Sequence, residues 1–252
     1  MNDAADFHLK KVPIRPCNTD LYLVEFPKSG ITWFSHILVN LFLLQRQSPF
    51  RASYFNLELF VGDIHVSRDL VKMEDMPFRM IKSHSKFNPH YRHMVYLLRN
   101  PFDVMKSYYR FVTDNGEYDA SFGEFIRHPN FGVANYVDHV EGWLKRGNRQ
   151  LLHLLRYEDL RHDTEETVKR FLRILGYQCN DAIIHEAVAL SHIDAMQEDN
   201  ERYRAHCPFK NYTFVGQGRF SDIHIDDGDA AYIFDTAGDL LREYYDDFEF
   251  QR

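Results

Sequence analysis

FPKSGITW, residues Phe26 to Trp33, decides the reading of this 252-residue chain. It lies between two apolar runs, LYLVE (Leu21 to Glu25) and FSHILVNLFLL (Phe34 to Leu44). Both flanks favour burial, so a lysine, a serine and a glycine between them mark a tight polar turn from a buried strand into a buried helix. A turn of this kind aims the unpaired amides of the first helical residues, and the positive end of the helix dipole, at one place. Lys28 adds a full charge there, Ser29 and Thr32 add hydroxyl donors, and Gly30 lets a ligand approach the backbone closely. The sum is a nest for an oxyanion such as phosphate or sulfate. It is not a Walker A loop, in which the lysine follows the glycine; here Lys28 precedes Gly30, and Trp33 offers a flat surface beside the nest.

Working outward, further buried strands are expected at Leu21 to Phe26, Arg79 to Lys82, Met94 to Leu98 and Leu151 to Leu155. Helices are expected at Thr32 to Arg46, Asn135 to Arg146, Asp163 to Leu175 (stopped by Gly176), Asp181 to Leu190 and Asp229 to Tyr245. Another begins in RNPFDVMKSYYRF, with Asn100 as N-cap, Pro101 at the first helical position and Asp103 in the first turn. Pro49 to Met76 reads as short helices and loops. Strands alternating with helices predict an α/β fold of three layers, a mainly parallel central sheet flanked by helices. Ligands in such folds bind beyond the carboxyl ends of the strands, where FPKSGITW sits. With no repeat, linker or low-complexity tract, residues 1–252 read as a single domain.

Composition removes several classes. Hydrophobic residues at 44% and charged residues at 27% support a packed core rather than disorder. The net charge of -7 argues against a nucleic-acid partner, which needs a basic face. The longest apolar stretch, Ile37 to Leu44, is too short for membrane insertion, and MNDAADFHLKKVP lacks the apolar centre of a signal peptide. Cys17, Cys179 and Cys207 form no CxxC pair, so neither a disulfide framework nor a metal site is expected and the cytoplasm is the expected compartment.

PKSGITW resembles the PKSGTTW loop of sulfotransferases that use 3′-phosphoadenosine 5′-phosphosulfate (PAPS), the soluble small-molecule type. Three further stretches match in the same order. IKSH (Ile81 to His84) is similar to the family's KTH segment, and YLLRNPFDVMKSYYRF (Tyr96 to Phe111) to its arginine–serine element. LLRYEDL (Leu154 to Leu160) is similar to its tyrosine-containing adenine site. The ordered set spans roughly residues 20–225 and is more specific than any one motif.

The resemblance implies a P-loop-like, PAPS-binding strand–loop–helix and in-line transfer of a sulfuryl group, without a metal, to a hydroxyl or amine of a small-molecule acceptor. A phenol, an alcohol, a sugar or another natural product would fit, and the desulfated product is PAP. It implies that Lys28 neutralises charge on the leaving phosphate, that Lys82 stands near the sulfuryl group and that His84 is the general base. Ser29, Gly30, Ile31 and Thr32 would hold the 5′ end, Arg99 and Ser107 the 3′-phosphate. Trp33, Tyr157 and Ser191, the last in SHIDAM (Ser191 to Met196), would hold the adenine. Among the 14 histidines, His90 and His93 lie close to His84 but match no family position.

The pattern departs in two places. Ile31 replaces a threonine of the family loop, which removes one hydroxyl but no backbone amide. The family's RKGxxGDW becomes VGQGRFSDI (Val215 to Ile223), with Gly216 and Gln217 at the two basic positions; Gly218 and Arg219 are the cofactor contacts expected there. Two other classes fit parts of the pattern. A P-loop small-molecule or nucleotide kinase would need magnesium, and a non-catalytic nucleotide-binding module would not need Lys28, Lys82 and His84 together.

Overall fold

β1 (Asp20–Glu25) is buried at every position because it has parallel neighbours on both sides and helices on both faces. The computed structural model describes residues 10–74, 76–146, 152–207 and 223–245. Within them, β2 (Val61–Asp63), β3 (Arg79–Ser83), β4 (Met94–Leu98) and β5 (Leu152–Arg156) join β1 in a five-stranded parallel sheet of order β2-β3-β1-β4-β5. The expected three-layer α/β fold is therefore observed. β2 is a strand that the sequence reading left among short helices and loops.

The helices of this set are α1 (Ile31–Gln45), α2 (Leu57–Phe60), α3 (Pro101–Asp114), α4 (Phe122–Arg127), α5 (Val133–Arg146), α6 (Tyr157–His162), α7 (Thr164–Ile174), α8 (Asp181–Leu190), α9 (Ile193–His206) and α10 (Asp227–Tyr244). The alternation of strand side chains divides them between two faces. Tyr22, Val24, Ile81, Tyr96 and Leu98 pack on one side against α3, α4, α5 and α10, with Trp143 and Phe125 at the centre. Leu21, Leu23, Met80, Val95 and Leu97 pack on the other against α1, α7 and α8. Each such side chain contributes about 1.5–3 kcal/mol on burial. α1 is buried without interruption from Phe34 to Leu43, and its polar Asn40 is satisfied by the Ser191 hydroxyl and the Ala52 amide. None of the described helices is long and apolar enough to cross a membrane.

Local chemistry explains the boundaries. The Asn100 side chain accepts the Phe102 N–H and Pro101 opens α3, as the sequence predicts. Asp163 caps α7 through the Glu166 N–H, which splits off α6 as a separate short helix. α4 carries a full Ser121/Glu124 capping box.

The order of the strands positions everything that follows. β3 and β4 flank β1 on opposite sides, with Val24 level with Ser83 and Glu25 level with Leu97. The chain leaves β1 toward one side and later crosses to the other, so a crevice opens above the carboxyl ends of these three strands.

At the other end of β1, a buried ion pair locks the register. Arg79 donates to both Asp20 carboxylate oxygens, at 2.6 and 2.8 Å, and to the carbonyls of Leu70 and Arg15. Asp20→Ala leaves the Arg79 guanidinium buried without its counter-charge and should cost about 3–5 kcal/mol in urea unfolding. The double change Asp20→Leu/Arg79→Met should cost far less. An equal loss in both proteins would mean that the pair is not what holds this end.

Candidate active site

The turn after β1 is wound by two left-handed residues. Gly30 has φ +112° and Lys28 has φ +74°, a conformation that costs a side-chain-bearing residue of order 1–3 kcal/mol. The loop is held in this shape from outside. Arg99, just beyond β4, donates from Nη1 to the Lys28 carbonyl at 3.0 Å, and its guanidinium lies 4.2 Å from the centre of the Tyr157 ring. Tyr157, at the start of α6, lies against the Cα of Gly30: a Cβ there would come within 2.5 Å of the ring. The glycine is thus required first by the protein's own tyrosine rather than by a ligand, which the sequence reading did not foresee. Trp33 meets Tyr157 edge-on at 5.7 Å and donates its indole N–H to the Ser191 carbonyl at 3.0 Å. Lys28, Gly30, Trp33, Arg99, Tyr157 and Ser191, scattered over the sequence, are brought together.

Charge is concentrated in the same place. Burial pulls the Lys28 ammonium down to about 8, helped by Lys82 and Arg99 and opposed by Glu25. Its Nζ lies 4.4 Å from the centre of the Phe111 ring, so an aromatic face carries part of its desolvation. Lys82 comes off β3 with Nζ 3.8 Å from Asp63 of the edge strand β2. The Ser29 hydroxyl is buried and has no hydrogen-bond partner among the described residues. An orphaned buried hydroxyl beside a helix N-terminus and several cations fits an oxyanion that brings its own acceptors.

His84 follows β3 directly. Its Nδ1 donates to the Glu25 carbonyl at 3.3 Å, an assignment that leaves Nε2 with the lone pair. Burial, Lys82 and His65 push the imidazole well below 6.5, so it is neutral at physiological pH. His65 accepts the backbone N–H of His84 through Nε2 at 3.0 Å. Two side chains of α5 hold the loops that carry these groups: Tyr136 donates to the Arg99 carbonyl at 2.7 Å and Trp143 to the Ser85 carbonyl at 2.9 Å.

Ser107 lies half-buried in the second turn of α3, and Thr32 half-buried in the first turn of α1. Gly218 and Arg219, with the rest of Val215 to Asp222, lie outside the described residues. The sequence reading missed Glu25 and His65. Glu25 had a visible signal, a lone charge ending an otherwise apolar strand; His65 had none.

Comparison with known proteins adds the family and the fold. A family model described as the sulfotransferase domain matches residues 18–219. Sulfotransferase 4A1 from Mus musculus is 29% identical over 208 residues, covering 76% of this chain and 69% of the relative. The Homo sapiens protein of the same name is 28% identical over 235 residues, covering 87% and 76%. Among solved structures, retinol dehydratase in complex with androsterone and the inactive cofactor PAP aligns with a TM-score of 0.68 at 16% identity, over 97% of this chain and 85% of that one. Mouse sulfotransferase SULT7A1 complexed with PAP aligns with a TM-score of 0.59 at 17% identity, over 96% and 93%.

Gly30→Ala tests the turn. The added methyl meets Tyr157 and the left-handed φ disfavours any side chain, so unfolding free energy should drop by about 1–3 kcal/mol. Gly116→Ala, also left-handed but facing open space, isolates the steric part. If the two changes cost the same, the Tyr157 contact contributes nothing.

Proposed function

The chain belongs to the sulfotransferase domain family, and we propose that it moves a sulfuryl group from PAPS to a hydroxyl or amine of a small-molecule acceptor. One observation carries this reading. Lys28, Lys82 and Arg99 converge on the N-terminus of α1 with a neutral imidazole, His84, beside them. That is a site for a multiply charged anion and a base for an acceptor, at the strand ends where the fold places ligands.

Bound PAPS supplies the sulfuryl group and a good leaving group, the 5′-phosphate. The chain's own residues do the rest. The Ile31, Thr32 and Trp33 amides, with the Ser29 and Thr32 hydroxyls, hold the 5′ end, for which Gly30 leaves the turn its shape. Lys28 stabilises charge as it develops on the bridging oxygen, an interaction stronger in the transition state than before it. Lys82 does the same for the transferring group. Arg99 and Ser107 select the 3′-phosphate, with Gly218 and Arg219 completing that grip. Trp33, Tyr157 and Ser191 bind the adenine. His84 accepts the acceptor's proton at Nε2; burial keeps it unprotonated and ready.

The acceptor binds over His84, with Phe50 to Phe60 and Tyr108 to Tyr118 as its candidate walls; Phe209 to Phe214, the third segment expected there, lies outside the described residues. These segments are rich in aromatic and polar groups, which suits a phenol, an alcohol, a sugar or another natural product. The retinol and androsterone of the retinol dehydratase complexes are small molecules of this kind. Residues 1–252 act as one domain, and the three free thiols of Cys17, Cys179 and Cys207 suit the cytoplasm.

Calorimetry with PAP and with ATP–Mg²⁺ tests the donor: PAP should bind and ATP–Mg²⁺ should not, and the opposite result would replace this reading by a kinase. With labelled PAPS and an acceptor panel, His84→Ala should lower kcat by about 10²–10⁴-fold while PAP affinity holds. Near-normal turnover in that variant would remove His84 as base.

A further inference from the structure

The head of α1 is already engaged by the chain's own carboxylate. Glu25 ends β1 fully buried, and its Oε2 accepts the Ile31 N–H at 2.7 Å. An incoming phosphate or sulfate would seek the same N–H. Glu25 has the sign of charge and the acceptor atoms of such a ligand, so it stands where the ligand's oxygen belongs. Helix starts are ordinarily capped by the residue at the N-cap, but Gly30 has no side chain to do so. The charged and titratable groups around the carboxylate come from every neighbouring element. They are Lys28 from the turn, Lys82 from β3, Arg99 after β4, Tyr96 within β4, and His84 with Nδ1 3.9 Å from Oε1. Three cations tolerate a second anion in the crevice; a single N–H does not serve two.

We infer that Glu25 sets the affinity of the donor site: an anionic donor enters by taking the Ile31 N–H from the Glu25 carboxylate, which takes up a proton as it is displaced. This rests on reading the crevice as a PAPS site. The proton follows from electrostatics. A carboxylate stripped of its N–H, still buried and now beside phosphates, is a charge without a partner, and such a group neutralises instead. Burial already pushes Glu25 up to about 7 against the pull of Lys82, the Ile31 N–H, Lys28 and Arg99. Above that pH the free protein holds Glu25 ionised and the complex holds it protonated. Binding then consumes one proton, and affinity falls about tenfold for each further pH unit. Below it Glu25 is protonated in both states and the dependence fades. Lys28, at about 8, adds its own loss of affinity at higher pH, which a change at Glu25 leaves in place.

The experiment uses PAP as probe, wild-type protein and Glu25→Gln, which keeps the shape and an acceptor oxygen but has no charge. Infrared difference spectra on adding PAP at about pH 8 should show a new carboxylic-acid carbonyl band in the wild type that is missing from the variant. Calorimetry should find the variant binding PAP roughly tenfold tighter at about pH 8, with the two converging at about pH 6. PAP binding with no acid band in the wild type overturns the inference and leaves the donor reading intact; this measurement needs no variant to fold. Equal affinities at both pH values overturn it as well. Failure of both proteins to bind PAP at any pH instead brings down the donor reading.

Discussion

β1 has a parallel neighbour on each side, and the chain leaves β1 toward the β3 side of the sheet but leaves β4 toward β5 on the other. That constraint makes the site. Connections that leave the adjacent strands β1 and β4 in opposite directions cannot cover the space between their carboxyl ends, so a crevice remains there. The residues after β1, β3 and β4 then face one another whatever their distance in sequence. Lys28, His84 and Arg99 are neighbours for this reason, and the three-layer packing on both faces of the sheet keeps the arrangement stiff.

Inside the crevice the fold tolerates charges that burial disfavours. Lys28 is pulled down to about 8 and Glu25 pushed up to about 7. The two offset each other, and Lys82, Arg99 and the head of α1 further favour the Glu25 carboxylate while crowding the Lys28 ammonium with like charge. A surplus of positive charge held out of water, in a loop with a left-handed lysine, is a poor arrangement for stability alone. Local strain and buried charge of this kind collect where a ligand completes the balance.

Much of this was legible in the sequence, and the parts that were not have physical reasons. The strand–turn–helix at FPKSGITW and the start of α3 at Asn100 and Pro101 carry their signals within a few residues, and both appear where expected. β2 is three residues, Val61–Asp63, too short for any alternation to register; it exists because β3 offers it an edge. α4 had a readable capping box in Ser121 and Glu124 that was passed over. Gly30 was read as space for a ligand because its neighbour Tyr157 arrives from a distant helix, a contact no local pattern encodes. Glu25 was read only as part of the apolar run LYLVE. Only the fold turns it inward to meet the Ile31 amide.

The two buried donors of α5 have a mechanical consequence. Tyr136 clasps the backbone at Arg99 and Trp143 clasps it at Ser85, so one rigid rod spans the segments bearing the Arg99 guanidinium and the His84 imidazole. Tilting that rod would carry both groups in concert and preserve their mutual spacing. Sequence drift along its outer surface can therefore shift the two groups as a unit, whereas drift in either clasp alone would break their alignment. Segments outside this chassis stay at liberty to diversify while it remains intact.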